Sequence, residues 1–271
     1  MNIQKIMILG AGKMGSWLVE SLCLDYEVGV FDLEKTRLKY FFNSHKFLTY
    51  EEIRDFQPDL LINAVSLNHT IKVFREIDPY LPERCIIADI TSVKNGLQEY
   101  YHESGRRFVS THPMFGPTFA NIKDLSNENA IIISESDDEG KDFFRVFYRS
   151  LNLNIYEYSF SDHDETIAYS LSVPFSSSLV FAACMKKQEA PGTTFRKHLD
   201  VARGVLSEDD YLLSEILFNR FTIDQVEKIR TQLARLIEIV RERDFDALKE
   251  FFDALRRNIE LPVRGVDQVQ D

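Results

Sequence analysis

IQKIMILGAGKMGSWLVESLCL, residues 3–24, decides the fold. Residues 3–9 (IQKIMIL) are mostly apolar and read as a strand. Residues 14–24 place Met14, Trp17, Leu18, Ser21 and Leu22 at helical spacing. Between them Gly10, Gly12 and Gly15 form a GxGxxG turn. Three glycines alone say little, but a strand before them and a helix after them give the spacing a physical meaning. The first glycine permits the tight turn. The second lets a pyrophosphate approach the backbone, and the third lets helix and strand pack closely.

Working outward, EVGVF (27–31) predicts a second strand ending at Asp32, seventeen residues beyond Gly15. A carboxylate there can accept from adenosine ribose hydroxyls and would repel a 2′-phosphate, so NAD is expected rather than NADP. Lys35 and Arg37 follow closely and soften that preference. The phosphates would rest on the free N–H groups at the helix start, with Lys13 and Met14 at the rim. A second cofactor contact is expected at Ala64, Val65 and Ser66, where the strand at 59–65 ends; Ser66 is equally placed to cap a helix over 69–80. The competing reading of the turn is a plain strand-to-helix joint with no nucleotide.

Further short apolar runs at 85–88, 107–110, 130–134 and 154–158, with helical segments at 69–80 and 137–150, continue the alternation. That rhythm predicts an α/β fold, a Rossmann-type doubly wound sheet over residues 1–159. From residue 160 no strand is evident. Helices are expected at 161–187 (bent or broken at Pro174), 208–220, 223–240 and 245–259, with Thr222 and Asp244 as N-caps. The expected division is a dinucleotide-binding domain (1–159), an all-helical domain (160–260) and a tail (261–271).

The 271 residues carry a formal net charge of −11, which gives no overall attraction for nucleic acid or an anionic membrane. No apolar run is read as approaching a membrane span, and the N-terminus runs straight into the glycine turn, so a cytoplasmic protein is expected. Cys23, Cys85 and Cys184 are odd in number and widely spaced. They read as small core residues, and no metal site is expected.

Two polar segments follow short strands, where ligands of open α/β sheets bind. They are ADITSVKNG (88–96) and STHPMFGP (110–117). His112 sits in the second, and Pro113, Gly116 and Pro117 suggest a rigid loop presenting it. His45, His69 and His102 read as solvated surface residues.

With GAGKMGSWL (10–18), DITSVKNG (89–96) and THPMFGP (111–117) in this order, the chain resembles the prephenate and arogenate dehydrogenases of tyrosine biosynthesis. The resemblance covers roughly the first 160 residues, with an HD pair, His163 and Asp164, beyond them. It implies NAD-dependent oxidative decarboxylation of prephenate to 4-hydroxyphenylpyruvate, or of arogenate to tyrosine. It also implies that His112 accepts the ring-hydroxyl proton and that Ser92 shares that contact. Ser92 otherwise reads as a cap for a helix beginning near Lys94. The substrate's carboxylates call for donors from the helical half. There the sequence departs from the family: Ser172 and Phe175 stand where histidines are usual, and Asp200 falls near an expected arginine. Arg196, Arg203 and Ser172 are the substrate-binding candidates, with Lys197 and His198 nearby; a guanidinium suits a carboxylate best. The resemblance further implies a homodimer through the helical half, for which the 161–187 helix is the best seam. Two alternatives stay open: a β-hydroxyacid-type dehydrogenase with the same layout, and a non-catalytic NAD-sensing protein.

Overall fold

The computed structural model describes residues 3–115 and 124–260. Gly116 and Pro117, and the expected tail 261–271, lie outside the described residues. The strands are β1 (Lys5–Leu9), β2 (Glu27–Phe31), β3 (His45–Phe47), β4 (Leu60–Asn63), β5 (Ile86–Asp89), β6 (Phe108–Pro113), β7 (Asn129–Ile133) and β8 (Asn154–Tyr158). They form one sheet in the order β3-β2-β1-β4-β5-β6-β7-β8. The first six are parallel, with Ile8 opposite Val30 and Ile62, and Ala88 opposite Val109. β7 runs antiparallel to β6, pairing Ile131 with His112, and β8 is parallel to β7. This is the doubly wound α/β sheet expected, with one antiparallel joint that apolar runs alone do not reveal.

Helices α1 (Lys13–Leu22), α2 (Tyr50–Phe56), α3 (Thr70–Ile77), α4 (Leu97–Ser104) and α5 (Asp138–Ser150) surround it. Alternate residues of each strand face opposite cores. Ile6, Ile8, Val30 and Ile62 pack with Leu18 and Leu22 of α1 and with Phe144 and Tyr148 of α5. Met7, Leu9 and Leu61 pack with Ile53, Phe74 and Leu97 of α2, α3 and α4. Burial on both faces explains why the strands read as apolar runs without alternation. Each such side chain contributes about 1.5–3 kcal/mol when fully buried.

Beyond β8 the chain is helical: α6 (Phe160–Ile167), α7 (Val173–Cys184), α8 (Thr193–Leu206), α9 (Asp210–Leu217), α10 (Thr222–Glu242) and α11 (Phe245–Glu260). α6 and α7 are joined by a π-helical turn over Ala168–Ser172. The helix is therefore not broken at Pro174. Proline has no N–H to return to residue 170, and the turn before it widens instead. Among the described residues this helix, Phe160–Cys184, is long and apolar enough by length and composition to cross a membrane, which corrects the expectation that no run approaches that length. Its first half is tied into the fold by buried His163, Ile167, Ala168 and Ser172. No residue of α7 is buried, although α7 lies against α8.

Other expectations need correction. Thr222 is not a cap: it is the first residue of α10, and its hydroxyl donates to Ile216 O. Asp244 does cap, accepting from Ala247 N. The sequence reading passed over β3, α2 and α8, whose short or mixed patterns carry weak periodicity. Cys85 is buried, but Cys23 is half-buried and Cys184 exposed, so they are not three core residues.

Candidate active site

The glycine turn is built as its spacing requires. Gly10 has φ +94°, and a Cβ there would meet Ala64 O at 2.8 Å. A Cβ on Gly15 would lie 1.8 Å from Gly10 O, so these two glycines are demanded by packing. Gly12 differs: a Cβ there would meet nothing within 4 Å. The fold leaves open space at the position where a phosphate would need it. Gly12 is also the N-cap of α1 and has no side chain to cap the first N–H groups, which suits an anion.

The turn opens onto a cavity of about 570 Å³, lined among others by Gly10, Gly12, Asp32, Ala64, Val65 and Ser66. That size suits a cofactor. Asp32 accepts from Ala11 N and Glu34 N, both at 2.7 Å, so its carboxylate is fixed at the cavity wall. Arg37 stands 3.6 Å from it. Lys13 is exposed, Met14 packs on the hydrophobic core, and neither lines the cavity. Ser66 makes no capping bond; its hydroxyl lies 3.4 Å from His69 Nδ1. His45, His69 and His102 are exposed, as expected, though His69 also lines the cavity.

The other half of the site lies along the same edge of the sheet. Because β1, β4, β5 and β6 are parallel, the glycine turn, Ala64–Ser66, Ser92 and His112 all follow or occupy carboxyl ends of strands. β6 is three strand spacings from β1, about 14 Å. That is within reach of an extended dinucleotide. Trp17 of α1 and Phe115, three residues past His112, meet edge to face at 5.3 Å and tie the two segments together.

Beneath His112 lies a buried polar cluster. Lys94 donates to Asp89 Oδ1 at 2.6 Å and to Thr111 O at 2.8 Å. Tyr101 OH donates to Asp89 Oδ2 at 2.7 Å, and Thr91 donates through both its N–H and its hydroxyl to Asp89 Oδ1. Burial pushes the Asp89 carboxyl up, but the Lys94 ammonium and these hydrogen bonds outweigh it and hold the group below the usual carboxylate range. The loop 91–96 is thereby pinned under β6. α4 begins at Leu97, after Gly96, so Ser92 does not cap it. Ser92 is half-buried.

His112 is 6% exposed. Its Nδ1 lies 3.1 Å from Nε2 of His163, which is fully buried on α6. His163 Nδ1 faces Asp164 Oδ1 at 3.4 Å. Burial first, then the neighbouring His163 ring and the Lys94 ammonium, drive the His112 pKa well below its ordinary value; burial lowers that of His163 too, against the pull of Asp164. Both rings are neutral at pH 7. α6 is placed by a capping box, Ser159 with Asp162. The helical half is also held against the loop by Asn95 Nδ2, which donates to Glu215 Oε2 at 2.7 Å.

The structure does not bring the expected helical-side donors to His112. Ser172 is buried and bonded to Thr222 Oγ1 at 2.7 Å and to Ile216 O at 3.2 Å, so its hydroxyl holds helices together. Arg203 pairs with Asp200 on the exposed side of α8 and lines a separate cavity between α7 and α8. Arg196 is exposed on the same helix, and His198 Nδ1 donates to Thr194 O at 2.9 Å. Phe175 is half-buried. The residues that sequence reasoning did not weigh are Asp89 and Lys94. Their signal was two opposite charges five residues apart, one ending an apolar strand and one in the polar loop after it. His163 was marked only through the HD pair.

Residues 33–153 match the family model for the prephenate dehydrogenase nucleotide-binding domain, a span that begins just after Asp32. A Methanocaldococcus jannaschii protein described as a probable arogenate/prephenate dehydrogenase is 24% identical over 202 residues, 69% of this chain and 44% of its own length. The chain spans about half the length of the curated relatives it matches. Among solved structures, prephenate dehydrogenase from A. aeolicus, in complex with hydroxyphenyl propionate and NAD+, superposes with a TM-score of 0.80 at 17% identity, covering 97% of this chain and 99% of that one. Synechocystis arogenate dehydrogenase gives 0.76 at 17% identity, over 95% and 99%. The resemblance seen in the motifs thus recurs in sequence relatives and across the whole fold.

Proposed function

We propose, from a nucleotide-binding domain of the prephenate dehydrogenase kind over residues 33–153, that this chain is an NAD-dependent dehydrogenase that oxidatively decarboxylates prephenate or arogenate. The observation that carries the reading is His112: a neutral, buried imidazole on the sheet edge that also bears the dinucleotide cavity. Residues 1–159 would serve as the cofactor domain and 160–260 as the helical substrate and dimerisation domain.

Gly10, Gly12 and the start of α1 would hold the pyrophosphate, Asp32 the adenosine ribose, and Ala64, Val65 and Ser66 the wall of the cleft. Bound NAD would supply the hydride acceptor for ring carbon C4. His112 takes the proton of the C4 hydroxyl as that carbon becomes a carbonyl; the C1 carboxylate leaves as CO2, its bonding electrons make the ring aromatic and the C4 oxygen a phenolate, and His112 returns the proton to give the phenol. A neutral imidazole is needed for this, and burial keeps it neutral. Assistance of this kind is worth about 10²–10⁴-fold in rate. Ser92, half-buried in the loop pinned by Lys94, would share the hydroxyl. The fixed carboxylate of Asp32 favours NAD over NADP, with Arg37 beside it moderating the preference.

The chain is further proposed to form a homodimer through its helices. α7 is mostly apolar and has no buried residue, and Val180, Val201 and Leu206 leave an apolar surface over α7 and α8. A second copy covering this face would account for it. Arg196 and Arg203 on α8 remain the candidates for the substrate's carboxylates, through the assembled rather than the single chain.

The test is direct. Adding prephenate or arogenate to the full chain with NAD should yield reduced nicotinamide and CO2 in equal amounts. NAD binding without turnover of either compound would favour the NAD-sensing alternative.

A further inference from the structure

His163 and Asp164 lie outside the sheet, contribute nothing to the cofactor cavity, and yet reach the one imidazole on which the proposed chemistry rests. A carboxylate only accepts, so in the pair with Asp164 Oδ1 the proton belongs to Nδ1 of His163. His163 is neutral, so its Nε2 carries a lone pair and accepts. The donor in the 3.1 Å contact must then be Nδ1 of His112. A neutral His112 with its proton on Nδ1 has a bare Nε2, and that nitrogen makes no hydrogen bond to any described residue.

We infer that Asp164 and His163 form a relay that fixes the tautomer of His112, leaving Nε2 as the nitrogen that receives the substrate's proton. His163 is thus a positioning residue. It is fully buried, and it acts by aiming the imidazole and holding its proton on the far side. It also gives the helical half a part in the chemistry that does not depend on carboxylate binding. When His112 takes a proton at Nε2, the resulting imidazolium keeps its Nδ1–H bond to His163, and the Asp164 carboxylate stands behind the pair.

The inference rests on the reading of His112 as the base, and its test separates the two. In full-length protein labelled with ¹⁵N-histidine, ring nitrogen–proton correlations should show His112 protonated at Nδ1 and bare at Nε2, whether or not the chain turns over either substrate. His163→Leu should lose that preference and lower kcat by up to about 10²–10⁴-fold, the worth of base assistance. KM should change by no more than about twofold, because binding is untouched. His163→Gln, whose amide oxygen can accept from Nδ1, should recover much of the loss. Asp164→Ala, less buried, reads the same relay if His163→Leu fails to fold. A His112 protonated at Nε2 in the unaltered protein, or equal kcat in the Leu and Gln variants, would overturn the relay. The expected tautomer in a protein that turns over neither compound supports the relay and removes the proposed function.

Discussion

Lys94 Nζ lies 2.6 Å from Asp89 Oδ1, and neither side chain is exposed. Two charges so placed cost several kcal/mol each to desolvate, and the pair holds only because each charge satisfies the other. Removing one partner leaves a buried charge alone. Lys94→Met should therefore destabilise the protein by about 3–5 kcal/mol in urea unfolding. Lys94→Met combined with Asp89→Leu should cost less than the sum of the single changes. Additive losses would show that the pair is not coupled.

The sheet and the Gly10–Asp32 half of the site were legible because they are local. A strand, a glycine turn, a helix and an acid at the next strand end all lie within 30 residues. Strand order, the antiparallel joint at His112–Ile131, and the His112–His163 contact across 51 positions depend on tertiary packing, which a linear pattern does not record. The same is true of Ser172. Its place in the first long helix suggested a substrate contact, whereas packing against Thr222 uses its hydroxyl internally.

The glycines separate folding from binding. Gly15→Ala would drive a Cβ to 1.8 Å from Gly10 O, and unfolding should move to clearly lower urea concentration. Gly12→Ala meets no atom within 4 Å, so stability should change by less than about 0.5 kcal/mol. The added methyl would occupy the space a pyrophosphate needs, and NAD affinity by calorimetry should fall about tenfold or more. Unchanged affinity would place the phosphates elsewhere.

Acid should destabilise the fold earlier than carboxylates alone would. His112 and His163 both have pKa values lowered by burial, so below about pH 6.5 the unfolded chain binds protons that the native state refuses. The sign follows: stability is complete above pH 6.5 and falls with decreasing pH. The slope approaches about 1.4 kcal/mol per pH unit for each ring. Urea midpoints between pH 5 and 7 should show the fall, and His112→Asn should make it shallower. A flat profile would mean the rings are solvated.

The uncovered face of α7 and α8 predicts self-association. Sedimentation should give twice the chain mass, and Val180→Asp should return the mass of a single chain, since a carboxylate cannot be buried there unpaired. A unaltered protein that sediments as one chain would contradict the dimer.

The imidazole of His112 is proposed to take the substrate's proton. Reduced nicotinamide should accumulate when the unaltered chain meets NAD with prephenate or arogenate. In the same assay His112→Asn should be slower by about 10²–10⁴-fold while binding NAD as before. Full activity in His112→Asn would mean that another group takes the proton.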